Sequence, residues 1–189
     1  KRLMQIILRG KDQLDNFVRD FLLLASPIPL TRELVEINKI AEEVLENIEL
    51  SNRLSNAVKV VKVFEEGVNI FANKEQVRQV VYNLVINALQ AMKEGGILSV
   101  EIKKLKLNDD EGYVEIIVKD TGCGIEENNL KKIFEPFFTN KEKGTGLGLA
   151  IVSRFVDGYS GRIKVESVIG EGTTFVVSLP GKKERRKVL

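Results

Sequence analysis

Three short stretches hold the residues best suited to chemistry. From Lys141 to Ala150 the chain reads KEKGTGLGLA, with Gly144, Gly146 and Gly148 separated by Thr145 and Leu147. Glycines at alternate positions bare the backbone N–H groups. An apolar helical pattern starting near Leu147 adds the positive end of a helix dipole. A phosphate group fits that combination, and Lys141 just upstream contributes a point charge. The stretch is not a Walker loop, because no Gly-Lys-Ser/Thr end follows, and its G-x-G-x-G spacing after a loop is not the dinucleotide fingerprint. A flexible surface loop would carry the same glycines, but ordering it is costly, and a bound ligand would offset that cost.

The second stretch is DTGCGI, Asp120 to Ile125. It ends a strand pattern with a carboxylate, followed by Gly122 and Gly124, which let a flat ligand lie against the main chain. Asp120 can accept a hydrogen bond from an exocyclic amine such as that of adenine. A tight turn in which Asp120 bonds its own backbone fits the same residues. Cys123 reads as a small filler, because the chain has no histidine to activate it.

The third stretch is a polar stripe. Gln76, Gln79, Asn83, Asn87 and Gln90 recur at steps of three and four and share one helix face. They suit the wet side of an amphipathic helix. They equally suit the floor of a ligand cavity, where an asparagine oxygen is a hard donor of the kind magnesium accepts beside phosphates and water.

The elements that must position these residues follow from hydrophobic period and punctuation. Residues 1–25 read as one helix with a heptad-like seam (Leu3, Ile7, Gly10, Leu14, Phe17, Phe21, Leu24), stopped by Ser26–Pro29. A second helix is predicted over 31–48, burying Leu34, Ile37, Ala41, Val44, Leu45 and Ile48. Strands are expected at 57–64 and 68–72. Asn73 caps a third helix, paired with Gln76 as in a capping box, and Gly95–Gly96 closes it. Strands over 97–107 and up to Asp120 flank an NDDEG turn. Residues 121–146 are mostly loop, with a short helix near 129–134 and a phenylalanine cluster, Phe134, Phe137 and Phe138, that can anchor one end of a lid. A helix over 147–157 and a closing hairpin complete the chain. This order predicts an α+β fold: a two-layer α/β sandwich with a mixed, mostly antiparallel sheet and helices on one face, preceded by one long helix.

Composition bounds the rest. The 189 residues carry 29 basic and 27 acidic side chains, a near balance that does not point to a nucleic-acid partner. Cys123 is the single cysteine, which rules out an internal disulfide and fits a reducing cytosol. No apolar run approaches the roughly 18 residues of a membrane span.

Taken in order, NLVINA, DTGCGI, FEPFFTNK, GTGLGLAIV and GEGTTF resemble the ATP-binding catalytic domain of sensor histidine kinases, of the GHKL superfamily that includes gyrase, the ninety-kilodalton heat-shock chaperone and MutL. NALQAM and EPFFTNK look closest to the nitrogen-regulation type, and residues 1–25 resemble the second helix of the dimerisation and histidine-phosphotransfer hairpin. The resemblance implies a Bergerat-type fold and a Mg²⁺·ATP ligand. Asn87 would ligate Mg²⁺, and Asn83 would shape the phosphate and water site. Asp120 would bind the adenine amine, lined by Gly122 and Gly124 and supported by the Thr173 hydroxyl. Lys141 and the loop Gly144, Thr145, Gly146, Leu147 and Gly148 would cover the phosphates.

It further implies a cytoplasmic kinase, homodimeric through the hairpin, that serves a response-regulator receiver domain, without nucleic-acid or membrane contact in this chain. The domains expected are 1–26 (hairpin helix), 27–181 (catalytic) and 182–189 (basic tail). One departure stands out. The family phosphorylates a histidine on the first hairpin helix, and this chain has neither that helix nor any histidine. It is therefore expected not to label itself. The alternatives are a non-catalytic nucleotide-binding module and a gyrase- or chaperone-type ATPase. Against the ATPase, Asn83 stands where those enzymes usually carry a catalytic glutamate, four residues before the magnesium asparagine.

Overall fold

The computed structural model describes residues 2–27, 31–51, 54, 57–108, 111–141 and 144–181. The basic tail 182–189, the tip of the NDDEG turn and part of the proline turn lie outside the described residues, as do the side chains of Leu3 and Ile7 in the heptad-like seam.

The elements run α1 (Arg2–Ala25), β1 (Glu33–Glu36), α2 (Ile37–Leu50), β2 (Val58–Phe64), β3 (Asn69–Ala72), α3 (Lys74–Ala91), β4 (Gly96–Asn108), β5 (Glu111–Asp120), α4 (Glu127–Leu130), α5 (Gly148–Gly158), β6 (Arg162–Val168) and β7 (Gly172–Pro180). The main sheet has the order β2-β4-β5-β7-β6. Only β2 and β4 are parallel, and the other neighbours are antiparallel. The expected two-layer arrangement is observed: α2, α3 and α5 share one hydrophobic core with the sheet.

Side-chain alternation decides which face of the sheet meets the helices. Leu98, Val100 and Ile102 of β4, Val114, Ile116 and Val118 of β5, and Phe175, Val177 and Leu179 of β7 are all buried. They meet a core to which the helices add Ile37, Ile40, Val81, Leu84, Ile151 and Phe155. Each such side chain contributes about 1.5–3 kcal/mol by leaving water. The same period places Asp120 and Thr173 on the inner face at the strand ends, where both are buried.

The region after the proline turn departs from the expected helix over 31–48. Residues 33–36 form a strand, and the helix begins only at Ile37. The cause is non-local: β1 pairs antiparallel with β3, Glu33 opposite Ala72 and Leu34 opposite Phe71. Leu34 is consequently exposed, whereas Ile37, Ala41, Val44, Leu45 and Ile48 are buried as the helical spacing requires. The short helix expected near 129–134 is α4, shifted to Glu127–Leu130 and continued by turns.

The C-terminal end of α1 rests on α5. Arg154 donates to the carbonyls of Leu23 and Ser26, satisfying helix-terminal acceptors that lack intrahelical partners. Leu23 and Leu24 pack against the core, whereas Leu14, Phe17, Phe21 and Leu22 remain exposed. Asp20 lies within hydrogen-bonding reach of Thr145. Burial pushes its carboxyl above the usual carboxylate range, with Thr145 and Arg19 opposing. Among the described residues no helix is long and apolar enough to cross a membrane.

Candidate functional site

The end of β5 fixes the first part of the site. Register sets Asp120 opposite Thr173 on β7 and opposite Leu98 on β4. Asp120 Oδ1 accepts from the Gly122 N–H at 2.8 Å, which is the Asx-type turn that the sequence allowed. Burial raises the Asp120 carboxyl above its ordinary value, while backbone bonds from Gly122 and Thr173 and the charge of Lys141 pull it down. With one oxygen serving the turn, the carboxylate keeps acceptor capacity for a ligand amine. The Thr173 hydroxyl lies 2.9 Å from Ser167 Oγ, which also accepts from the Ile125 N–H at 2.8 Å. Ser167 thus ties the DTGCGI loop to the β6–β7 hairpin. Cys123 is exposed and is no filler, because Gly122 beside it takes the inward position.

Helix α3 supplies the floor. Asn73 caps it, its Oδ1 accepting from the Glu75 and Gln76 N–H groups. The reciprocal half of a capping box is absent: the Asn73 N–H donates instead to the Tyr159 hydroxyl at 2.8 Å, and that hydroxyl donates to Gln76 Oε1. One turn on, Gln79 Nε2 donates to Asn83 Oδ1 at 3.1 Å, and Asn83 Nδ2 donates to the Gly148 carbonyl at 2.9 Å. Asn83 is buried; its Nδ2 pins the first turn of α5 to α3, while its Oδ1 is held by Gln79 of the same helix. A further turn on, Asn87 Oδ1 and Gln90 Oε1 both accept from the Lys141 ammonium, at 2.9 and 2.6 Å. Lys141 is exposed as a residue, yet its ammonium sits against α3. Desolvation there holds its pKa below the ordinary lysine value, with Cys123 and Asp120 opposing.

The glycine loop closes the arrangement. Helix α5 begins at Gly148, and its N-cap residue, Leu147, provides no side-chain cap. N–H groups of the first turn are therefore left for an outside acceptor. Leu147 itself is fully buried, its N–H donates to Thr145 Oγ1 at 3.3 Å and its carbonyl accepts from the Ile151 N–H at 2.9 Å, so its side chain and both main-chain groups have partners within the protein. The alternating glycines have a second cause besides ligand approach. Gly146 has φ +69°, and a methyl group there would stand 2.4 Å from the Phe137 carbonyl carbon. Phe137 is itself left-handed at φ +69°, and its N–H donates to the Gly146 carbonyl at 2.9 Å. A non-glycine residue held at positive φ stores strain, which is characteristic of functional loops. Phe134 packs edge-on against Phe175, and Phe134 and Phe138 reach the core. Phe137 is 57% exposed, so only two of the three phenylalanines anchor the loop through their side chains. Gly122 is required by packing too, since a methyl there would meet Ala91 at 2.7 Å.

The contacts join the expected site residues into two groups linked through Lys141. Asp120, Gly122, Gly124 and Thr173 make one end. Asn83, Asn87, Lys141 and the loop 144–148 make the other. Lys141 and Asp120 lie close enough to shift each other's titration. Gln79, Gln90 and Ser167 are contributors that motif reasoning did not single out by role. The i, i+4 and i, i+3 spacing from Asn83 and Asn87 was the available signal for the two glutamines.

The chain's sequence and fold are shared with known proteins. Residues 72–183 match the family model of histidine kinase-, DNA gyrase B- and HSP90-like ATPases. The chain belongs to this family. Within it, the similarity is to the histidine kinases. Sporulation kinase E of Bacillus subtilis is 34% identical over 89% of this chain and 22% of its own length. Sporulation kinase C of the same organism is 35% identical over 97% of this chain and 42% of its own. The chain thus spans less than half the length of these relatives. The catalytic domain of the histidine kinase ThkA superposes with a TM-score of 0.66 at 30% identity, covering 82% of this chain and 99% of that one. Full-length ShkA in complex with AMPPNP gives a TM-score of 0.75 at 27% identity, over 97% of this chain and 39% of that one. This chain therefore carries the GHKL catalytic domain of a histidine kinase.

The family implies a divalent metal as well. Among the described residues no group of three histidine, cysteine or acidic side chains gathers. The donors on hand are amide oxygens, and the Asn87 oxygen is already turned toward a cation, the Lys141 ammonium. That donor set suits magnesium, which takes one or two protein oxygens and completes its shell with phosphate and water.

Proposed function

We propose that this chain binds Mg²⁺·ATP and transfers the γ-phosphoryl group to a histidine on a hairpin helix outside these 189 residues, for relay to the aspartate of a response-regulator receiver domain. In the parent kinase the hairpin would also form the homodimer contact. The observation that carries the reading is the convergence at one surface of two opposite chemistries: a buried carboxylate at Asp120 and a cation-holding amide at Asn87, with Lys141 within electrostatic reach of both.

Each residue then has a task. Asp120 accepts from the exocyclic amine of the base, with the Thr173 hydroxyl beside it and the Gly122 and Gly124 main chain against the ring. Asn87 holds Mg²⁺, which when bound neutralises charge on the phosphate oxygens. Asn83 fixes the α5 start, so that its free N–H groups are preorganised for phosphate. Lys141 and the 144–148 loop add charge and exclude water. Phosphoryl transfer asks little covalent chemistry of the protein beyond such positioning and charge neutralisation. A gyrase-type hydrolase reading is disfavoured at Asn83, whose carboxamide is committed to Gln79 and Gly148 and cannot act as a base.

The test is incubation with ATP labelled at the γ-phosphate, with and without a separately supplied histidine-bearing hairpin from a related kinase. Acid-labile label on the hairpin and none on this chain is expected. Label on this chain, or an unlabelled hairpin despite saturating ATP binding, would reject the reading.

A further inference from the structure

Two carbonyl oxygens one helical turn apart, Asn87 Oδ1 and Gln90 Oε1, converge on one ammonium, that of Lys141. The lysine arrives from the loop between Phe138 and Gly144, more than fifty residues away in sequence. Local bonds already shape that loop: the Lys141 N–H donates to Thr139 Oγ1 at 3.1 Å, and the Gly144 N–H donates to the Lys141 carbonyl at 3.1 Å. An ammonium has three donors, and two of them are taken by α3. Hydrogen bonds of a charged donor are about twice as strong as neutral ones.

We propose that Asn87 and Gln90 form a two-carbonyl cation seat that Lys141 fills when no metal–nucleotide is present, so that the loop is latched to α3 and metal entry at Asn87 must first displace the lysine. The oxygen that would ligate the metal is the oxygen the lysine holds, and one amide lone-pair direction cannot serve both cations at close range. Gln90 is left as a second acceptor, the residue that sets how firmly the loop is held in the empty state. The latch concerns the free protein. Its displacement by metal rests on the nucleotide reading proposed above.

The experiment separates the two. In nucleotide-free protein, amide hydrogen exchange is followed at Lys141 and Gly144, with Leu84 and Val85 in the middle of α3 as internal reference. Gln90→Leu and Lys141→Met should each speed exchange at the loop amides several-fold and leave the reference amides unchanged. Gln90→Leu leaves the Asn87 bond and Lys141→Met removes both, so the double variant should exchange no faster than Lys141→Met alone. Unchanged loop exchange in either single variant, or an additive double, would overturn the latch. Both positions are exposed, so neither change threatens the fold.

The displacement step is read from ADP affinity with Mg²⁺ and with EDTA; ADP lacks the γ-phosphate that Lys141 would otherwise meet. In Gln90→Leu the gain in affinity on adding Mg²⁺ should exceed that of the wild type, since the metal no longer displaces a firmly held lysine. A smaller gain would make Gln90 a metal or phosphate ligand and overturn mutual exclusion. Failure of the wild type to bind ADP at all would sink the nucleotide reading, while the exchange result in free protein would still decide the latch.

Discussion

Replacing Asn83 by aspartate changes one NH₂ group to oxygen and little else in shape. The structure assigns that nitrogen a donor role toward the Gly148 carbonyl at 2.9 Å, in a side chain only 8% exposed. An aspartate oxygen there faces a carbonyl oxygen with no proton between them. Loss of the donor costs about 1 kcal/mol, and leaving a buried charged acceptor against another acceptor adds about 1–3 kcal/mol. The Gln79 amide still donates to the other oxygen, and the α5 dipole returns about 0.3–1 kcal/mol, so the net loss is about 1–3.7 kcal/mol. Asn83→Ala, which removes both bonds without introducing charge, should lose only about 1–2 kcal/mol. For a chain of this size each kcal/mol shifts Tm by about 2–4 °C, which gives roughly 2–15 °C for the aspartate. Urea and thermal unfolding at pH 8 and pH 5 provide the check. The buried aspartate would have a folded pKa above its unfolded value of about 3.9. The unfolded chain then holds fewer protons in that window, and stability rises as pH falls through it. The protonated carboxyl regains a donor, so the deficit should shrink at pH 5. An aspartate variant no worse than alanine, or a deficit indifferent to pH, would show that the Asn83–Gly148 bond does not hold α5 in place.

Other consequences follow from the same geometry. Asp120 is pushed above its ordinary value of 3.8, chiefly by burial. Between that value and its folded pKa the unfolded chain holds fewer protons, so the contribution of Asp120 to stability falls as pH rises. Chemical denaturation should therefore show wild type gaining on Asp120→Asn as pH drops toward 4, and ATP affinity, which needs the ionised acceptor, should decline from a pH above the usual carboxylate range. Gly146→Ala places a methyl 2.4 Å from Phe137 at φ +69°. The left-handed alanine alone costs about 1–2 kcal/mol, so circular dichroism should show a preserved fold while titration shows ATP binding weakened about tenfold or more. Arg154→Ala should release the end of α1 without touching the nucleotide site. Faster amide exchange at Ser26 with unchanged ATP affinity would bear this out, and unchanged exchange would count against the docking contact.

What the sequence disclosed, and where it fell silent, follows a physical divide. Local signals were legible: Asn73 as a cap, the single helix over residues 1–25, the apolar stripe of α2 from Ile37 onward, and the strand alternation that carries Asp120 inward. Residues 33–36 read as helix because Leu34, Ile37 and Ala41 keep helical spacing, and nothing nearby announces that Asn69–Ala72 will pair with them. The capping box failed for a similar reason, since Tyr159 reaches Asn73 from 86 residues away. The glycine loops stood out in the sequence, but the packing that requires them did not. Ligand approach was the visible reason for them, and the backbones of Phe137 and Ala91, which also demand glycine, come from other parts of the chain. The Lys141 contact with Asn87 and Gln90 is long-range as well, and no pattern in KEKGTGLGLA points to its acceptors.

The central claim is that one surface holds the base at Asp120 and the metal–phosphate end at Asn87. Calorimetric titration of ATP, with Mg²⁺ and with EDTA, into wild type, Asp120→Asn and Asn87→Ala addresses it most directly. Losing a hydrogen bond to a charged group costs about tenfold or more in affinity. Asp120→Asn should therefore bind more weakly in both conditions, and Asn87→Ala only when Mg²⁺ is present. Wild-type affinity in both variants under both conditions would contradict the account.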